Sequence, residues 1–151
     1  MLRDKLNESL KRATKAKDSC AVATIRLILA ALKDLDIAAR TKGDGDLLAD
    51  DDILSLLQTM IKQRRESSDL YKKGNRAELA ERELKEIEII QSFMPEPMSD
   101  DDIALAVAAV IEELGASGLK EMGNVMGGLR ERYVGRMDFG KASVEAKKKL
   151  S

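Results

Sequence analysis

Apolar residues recur every three or four positions along almost the whole chain, with polar residues between them. One face of an amphipathic α-helix has this period, so the pattern predicts a succession of helices. The predicted helices cover about residues 2–17, 19–42, 50–71, 75–94, 100–114, 119–133 and 139–150. The predicted N-caps include Asp18 or Ser19, Ser99, and Asp138 or Gly140. The segment TKGDGD at residues 41–46 is predicted to be a turn.

Six of the seven predicted helices, all but the last, have a set of apolar positions that should face a core. These inward positions are Leu2, Leu6, Leu10 and Ala13; Ala21, Ile25, Ile28, Leu29, Leu32 and Leu35; Ile53, Leu56, Leu57, Met60 and Ile61; Leu79, Leu84, Ile87, Ile90 and Met94; Ile103, Val107, Val110 and Leu114; and Met122, Met126, Leu129 and Tyr133.

Composition and the two prolines extend this pattern to a fold class. Helix-forming residues dominate, β-branched residues are sparse and aromatic residues make up only 3% of the chain, so a sheet is not expected. Pro95 and Pro97 are the only prolines and stand just before an acidic run, which marks a boundary. We therefore predict an all-α protein of two helical lobes: a four-helix N-terminal domain at residues 1–94 and a three-helix C-terminal domain at residues 95–151, joined by a proline hinge.

The sequence offers little for catalysis. The chain has no His, which removes the commonest general base and metal ligand, and it has neither a phosphate-binding loop motif nor a dinucleotide motif. Cys20 lies among apolar residues and is interpreted as a small buried hydrophobe rather than a nucleophile. The acidic runs at residues 50–52 and 100–102 could bind Mg²⁺ loosely, but negative charge at a helix start explains them better. We expect no cofactor, no metal and no active site.

The same absence of signals gives an expected location. No apolar run approaches the ~18–20 residues of a membrane span, and the N-terminus lacks a hydrophobic signal core. The basic, amphipathic start weakly resembles an organelle transit peptide, but Asp4 and Glu8 argue against that interpretation. The expected location is the cytoplasm.

Glycine and positive charge concentrate near the C-terminus. Seven of the ten glycines fall between residues 115 and 140, and residues 115–151 hold eight Lys or Arg against four acids. On a helix over residues 119–133, Gly123 and Gly127 share a face flanked by Lys120 and Arg130. Such a bare strip lets another backbone come close. That backbone could be a packed helix or a nucleic-acid strand.

Two further groups of residues allow both a structural and a binding interpretation. Lys62, Arg65 and Lys72 share one outer face of the third helix, which suits phosphates but also suits a solvated surface with salt bridges. Arg64 points toward the core side and should pair with a carboxylate of the fourth helix such as Glu83 or Glu86. The segment at residues 135–138 is either part of the binding face or a helix end, a turn and an N-cap.

Several spaced segments resemble one known family. GASGLKEMGNVMGGL at residues 115–129 and GRMD at residues 135–138 are similar to the C-terminal module of the GatB/YqeY family. IRLILAALK at residues 25–33, IKQRRES at 61–67 and GNRAELAERELKEIEIIQSFMPEPMS at 74–99 resemble its stand-alone members. The resemblance implies a C-terminal lobe like the tail of the B subunit of the bacterial tRNA-dependent amidotransferase. That enzyme converts Glu-tRNA(Gln) or Asp-tRNA(Asn) to the amide-charged form, and its tail is thought to grip the outer part of tRNA.

The resemblance also implies a set of site residues. The matching positions are Met122, Gly123, Val125, Met126 and Leu129 on the glycine helix and Gly135, Arg136 and Asp138 in the turn. Asn124 stands where many members are expected to have Lys, which removes one cation from the proposed RNA face. The predicted nucleic-acid contacts are Lys120, Gly123, Asn124, Gly127, Arg130, Gly135 and Arg136, with Lys62, Arg65 and Lys72 as a second cluster.

Three functions follow in order of preference. The first is an accessory protein that binds tRNA, alone or with an aminoacyl-tRNA synthetase or amidotransferase, without a membrane or a small-molecule substrate. The second is a helical protein–protein adaptor whose glycine helix docks a partner helix. The third is a carbon–nitrogen ligase that uses glutamine as amido donor, against which the missing His and the absent nucleotide motifs count.

Overall fold

The computed structural model describes residues 1–41, 43 and 48–151. These residues form seven α-helices and one turn of 3₁₀ helix, with no strand among them, which confirms the all-α prediction. The helices are α1 (Leu2–Lys15), α2 (Ser19–Thr41), α3 (Asp50–Lys73), α4 (Ala77–Gln91), α5 (Asp100–Leu114), α6 (Met122–Tyr133) and α7 (Phe139–Leu150), and the 3₁₀ turn is Leu119–Glu121. Most of the predicted turn at residues 41–46 lies outside the described residues. Within the described ranges, every helix is too short or too polar to cross a bilayer.

Polar side chains fix where several helices begin. Asp18 Oδ1 accepts the Ala21 N–H at 3.1 Å, and Ser99 Oγ accepts the Asp102 N–H at 3.1 Å. Asp138 Oδ1 accepts the N–H groups of Gly140 and Lys141, at 2.9 and 3.2 Å. These bonds satisfy N–H groups that have no partner inside the helix. Asp18 and Asp138, rather than Ser19 and Gly140, are therefore the caps of α2 and α7.

The chain divides into two compact units, Met1–Met94 and Pro95–Ser151. In the first unit, α3 packs along α4 across a short turn, and α1 and α2 complete the unit. Its core contains the fully buried residues Leu6, Ile28, Leu32, Ile53, Leu57 and Ile90. That the prolines between the units act as a hinge stays a prediction.

The second unit is built from α5, α6 and α7, which pack against one another in pairs. Its core includes Ile103, Val107, Val110, Val125, Leu129, Met137, Ala142 and Ala146. Gly115 follows the last residue of α5 as its C-cap, with a left-handed φ of +61°, and the Ala116 N–H donates to the Ile111 carbonyl at 3.0 Å. This arrangement satisfies a carbonyl at the helix end and turns the chain toward α6.

Three residues predicted to point inward are exposed instead. Leu35 and Leu84 are each 40% exposed and Leu114 is 51% exposed. Leu35 and Leu84 lie at the edges of their apolar stripes, beyond the part that neighbouring helices cover. Leu114 is the last residue of α5, so the helix ends before it can be covered.

Candidate nucleic-acid interface

The two faces of α6 differ in burial and chemistry. Val125, Met126 and Leu129 are buried in the core of the second unit. Gly123 and Gly127 are exposed on the opposite side, as are Lys120 in the preceding 3₁₀ turn, Asn124 and Arg130. The helical period thus brings five of the predicted site residues to one surface, named here the glycine face of α6.

The backbone at Gly123 and Gly127 is open to a partner. A Cβ built on either residue would meet no atom within 4 Å outside its own helical neighbourhood. Of the two alternatives that the sequence leaves open for these glycines, packing against a helix of their own unit does not occur at either position. It occurs at Gly128, where a Cβ would lie 3.3 Å from Val110 Cγ1 on α5. Sequence reasoning missed this role, and the Gly-Gly pair at residues 127–128 was its only signal.

The cations around the glycine face have different surroundings. Lys120, Arg130 and Arg136 are exposed and make no ion pair with any residue that the structure describes. The Arg130 guanidinium lies 5.9 Å from the centre of the Phe139 ring. This cation–π contact, from α6 to the start of α7, orients the guanidinium while its N–H edges can still donate to a phosphate.

The basic surface is smaller than a count of Lys and Arg suggests. Arg132 pairs with Glu113 of α5, lowering the pKa of that carboxyl, and Lys141 pairs with Asp100 at 3.0 Å. Exposed Glu131 lies four residues after Gly127 and so adds a negative charge to the glycine face. Across residues 95–151 there are eight Lys or Arg against ten Asp or Glu. Phosphate contact here depends on a few local cations rather than on a broad positive field.

The turn between α6 and α7 serves the fold first. Gly135 is buried and has a φ of +81°, a conformation that favours glycine. The Arg136 carbonyl accepts the Met98 N–H at 2.9 Å, and Asp138 caps α7. Gly135 is therefore not on the surface, and within the turn Arg136 is the residue that can offer a cation to a ligand.

The second cationic cluster lies on α3, in the other unit. Lys62, Arg65 and Lys72 are exposed and have no ion-pair partner among the described residues, but exposed Asp69 shares their face. Arg64 behaves as predicted, since its Nε donates to Glu86 Oε2 at 3.0 Å.

Other acidic residues lie beside the Arg64–Glu86 pair or accept backbone hydrogen bonds near the start of α3. Burial, and then the nearby charge of Glu86, raise the pKa of Glu83. Asp50 accepts the Leu2 N–H at 3.3 Å, and Asp52 accepts the Ala49 N–H at 3.2 Å.

No three Cys, Asp or Glu residues of the described segments come together as a possible metal site. Cys20 is half-buried rather than buried.

Sequence reasoning missed the ion pair between α1 and α2. Arg3 donates to both carboxylate oxygens of Asp36, with Nη1 to Oδ2 at 3.0 Å. This pair holds the pKa of Asp36 below its ordinary value. The available signal was a polar residue at an inward position, because Asp36 follows buried Leu32 by four residues.

Relatives of this chain are found among fungal proteins. The chain is 39% identical over 111 residues to a protein of Lachancea thermotolerans named "Altered inheritance of mitochondria protein 41, mitochondrial", with 72% of this chain and 57% of that protein covered. It is 38% identical over 111 residues to the protein of the same name in Eremothecium gossypii, with 72% and 58% covered. The chain therefore spans a little over half the length of these relatives.

These comparisons contradict the expected cytoplasmic location, because the names of the relatives place those proteins in mitochondria. Location depends on short address segments that receptors read, so fold composition and a missing signal core do not determine it.

A match to one protein family extends over nearly the whole chain. The family described as "Yqey-like protein" matches residues 3–150, from α1 to the end of α7. This confirms the stand-alone part of the resemblance in the sequence analysis. The chain belongs to the YqeY-like protein family.

Proposed function

We propose that this protein is an accessory protein that binds tRNA through the glycine face of α6 and has no active site of its own. The observation that carries the proposal is the open backbone at Gly123 and Gly127, between cations that form no ion pair with a described residue. A glycine in a helix costs about 1 kcal/mol relative to alanine. Two exposed glycines without a packing role within their unit indicate that something outside it approaches the backbone.

The chemistry of this face suits a phosphate backbone. Lys120, Arg130 and Arg136 offer charged donors, and a helix without side chains at two positions lets a sugar–phosphate strand approach. The whole chain has only two Tyr, two Phe and no Trp, so base stacking on aromatic rings is not the main mode. Recognition would therefore depend on backbone and shape.

The resemblance to the amidotransferase tail suggests the class of partner. That resemblance, at residues 115–129 and 135–138, favours tRNA over another polyanion. We propose that the bound tRNA is presented to an aminoacyl-tRNA synthetase or a tRNA-dependent amidotransferase. Glutamate release from glutamine by the purified chain, above a no-protein control, would support the carbon–nitrogen ligase alternative instead.

A binding titration with deacylated tRNA tests the proposal. The affinity should decrease as the salt concentration rises from about 50 to 200 mM, because binding to phosphates releases counterions. With about three cations available, the slope of log K against log salt should be roughly −2 to −3. Binding of tRNA no tighter than binding of a random duplex of equal length would contradict tRNA recognition and favour the adaptor function.

A further inference from the structure

A second unpartnered surface lies on α2, in the other unit. Ala23, Leu27, Ala30, Asp34 and Ile37 follow one another at intervals of four, three, four and three residues. All five are exposed, and the large apolar members Leu27 and Ile37 are 50% and 53% exposed. These five residues are named here the α2 stripe.

The α2 stripe is opposite the face that holds α2 in its unit. Ile25, Ile28 and Leu32 are buried in the core, and the helical period places the stripe on the other side. An alternating four–three spacing is the seam of a coiled coil, in which residues of one helix insert between four residues of another. The two alanines leave room for a helix to approach closely between Leu27 and Ile37.

A row of cations runs along one edge of the stripe. Arg26, Lys33 and Arg40 are spaced seven residues apart, are all exposed, and form no ion pair with a described residue. Arg40 also contributes a weak electrostatic lowering of the pKa of Asp36. The other edge is apolar, with Ala31, Ala38 and Leu35. The surface therefore combines a seam that is apolar except at Asp34 with a row of positive charge on one side only.

We propose that the α2 stripe docks an amphipathic helix of a partner protein that carries a row of Asp or Glu beside its apolar face. The positions of the cations correspond to those that pair across helices in a coiled coil and choose the partner. An acidic helix would cover Leu27 and Ile37 and neutralise Arg26, Lys33 and Arg40 in one orientation.

A second copy of this chain fits the surface poorly. If two α2 helices packed antiparallel, the cation rows of both copies would face each other and repel. If they packed parallel, each cation row would face the apolar edge with Ala31 and Ala38, which has no opposite charge. An RNA strand would use the cations but leave Leu27 and Ile37 exposed to water.

The test uses the full chain and a labelled synthetic helix of roughly three heptads, with Leu at the seam and Glu along the flank. The control peptide has Lys in place of every Glu. We expect the acidic peptide to bind and the lysine peptide not to bind. Leu27→Ala with Ile37→Ala should weaken binding by about tenfold or more, while Leu105→Ala, at a 70% exposed position of the other unit, should not.

Charge reversal gives a readout that misfolding cannot produce. A triple variant with Arg26→Glu, Lys33→Glu and Arg40→Glu should no longer bind the acidic peptide and should bind the lysine peptide instead. Three results would overturn the proposal: equal binding of both peptides, dimers in ultracentrifugation that Leu27→Ala with Ile37→Ala disrupts, or loss of tRNA binding on charge reversal without any peptide binding.

Discussion

Gly128 on α6 lies so close to Val110 on α5 that a β-carbon on Gly128 would stand 3.3 Å from Val110 Cγ1. One residue earlier, Gly127 faces open space. Two adjacent glycines therefore have separate explanations: Gly128 permits helix packing inside the second unit, and Gly127 does not take part in it. Substitutions at Gly127 can thus test ligand binding without disturbing the core.

This difference predicts opposite responses to alanine. Gly127→Ala should raise the free energy of unfolding by about 0.5–1 kcal/mol, because alanine is the better helix former and its methyl group meets nothing. Gly128→Ala should gain less or lose stability, because the methyl group would press on Val110. Urea unfolding of both variants gives the comparison. A loss of stability in Gly127→Ala would show that this face is covered within the molecule.

The ion pair between Arg3 and Asp36 should make the free energy of unfolding depend on pH in the acidic range. The pKa of Asp36 is lowered in the folded state, chiefly by the hydrogen bonds from Arg3. Its stabilisation is therefore present above the ordinary carboxyl pKa of about 3.9 and is lost as the pH falls through the lowered folded value. Asp36→Asn should lower the free energy of unfolding by about 1–2 kcal/mol at neutral pH.

The difference between wild type and Asp36→Asn should narrow below about pH 4, where the unfolded carboxyl is protonated. Thermal unfolding of both proteins across this pH range measures it. A difference that is constant with pH would mean that the ion pair does not contribute.

Ionisation of Glu83 should destabilise the folded state, whereas ionisation of Asp36 stabilises it. Its pKa is raised, first by burial and then by the charge of Glu86, so ionised Glu83 disfavours the folded state at neutral pH. Glu83→Gln should therefore raise the melting temperature at pH 7, and the gain should vanish as the pH falls below about 4, where both states are protonated. Glu86→Gln is the control, because it breaks the ion pair with Arg64 and should lower the melting temperature. Two shifts of the same sign would contradict this account.

The position of Asn124 allows a gain-of-function prediction. Asn124 is exposed on the glycine face, where a lysine would add a further cation. Asn124→Lys should tighten tRNA binding at low salt and steepen the salt slope by roughly 0.7–0.9, the share of one phosphate. Asn124→Gln is the uncharged control and should bind like wild type. Equal affinities for the Lys and Gln variants would mean that no phosphate comes near this position.

The helices and their caps could be predicted from the sequence because both depend on residues a few positions apart. The apolar period predicts α1 to α6, a polar cap at residues 138–140 predicts the start of α7, and Ser99 before the acidic run predicts the start of α5. The misplaced Leu35, Leu84 and Leu114 have a different origin. Periodicity gives the direction of an apolar stripe but not how far neighbouring helices cover its edges or its end.

The features that the sequence did not predict, in the candidate site and elsewhere, depend on contacts between helices. The Arg3–Asp36 pair joins residues 33 positions apart and exists because α1 packs on α2. The separate roles of Gly127 and Gly128 depend on which side of α6 faces α5. Arg132 and Lys141 pair with acidic residues of α5, so the basic surface is smaller than the number of Lys and Arg residues indicates.

The most direct test of the central claim is the salt dependence of tRNA binding for wild type, Gly127→Leu and Arg130→Ala, measured by filter binding. Gly127→Leu should weaken binding at every salt concentration, because the side chain blocks approach to the backbone, while its unfolding curve remains at least as stable as wild type. Arg130→Ala should weaken binding chiefly at low salt and reduce the slope by roughly 0.7–0.9. Wild-type affinity and slope in both variants would contradict tRNA binding at the glycine face of α6.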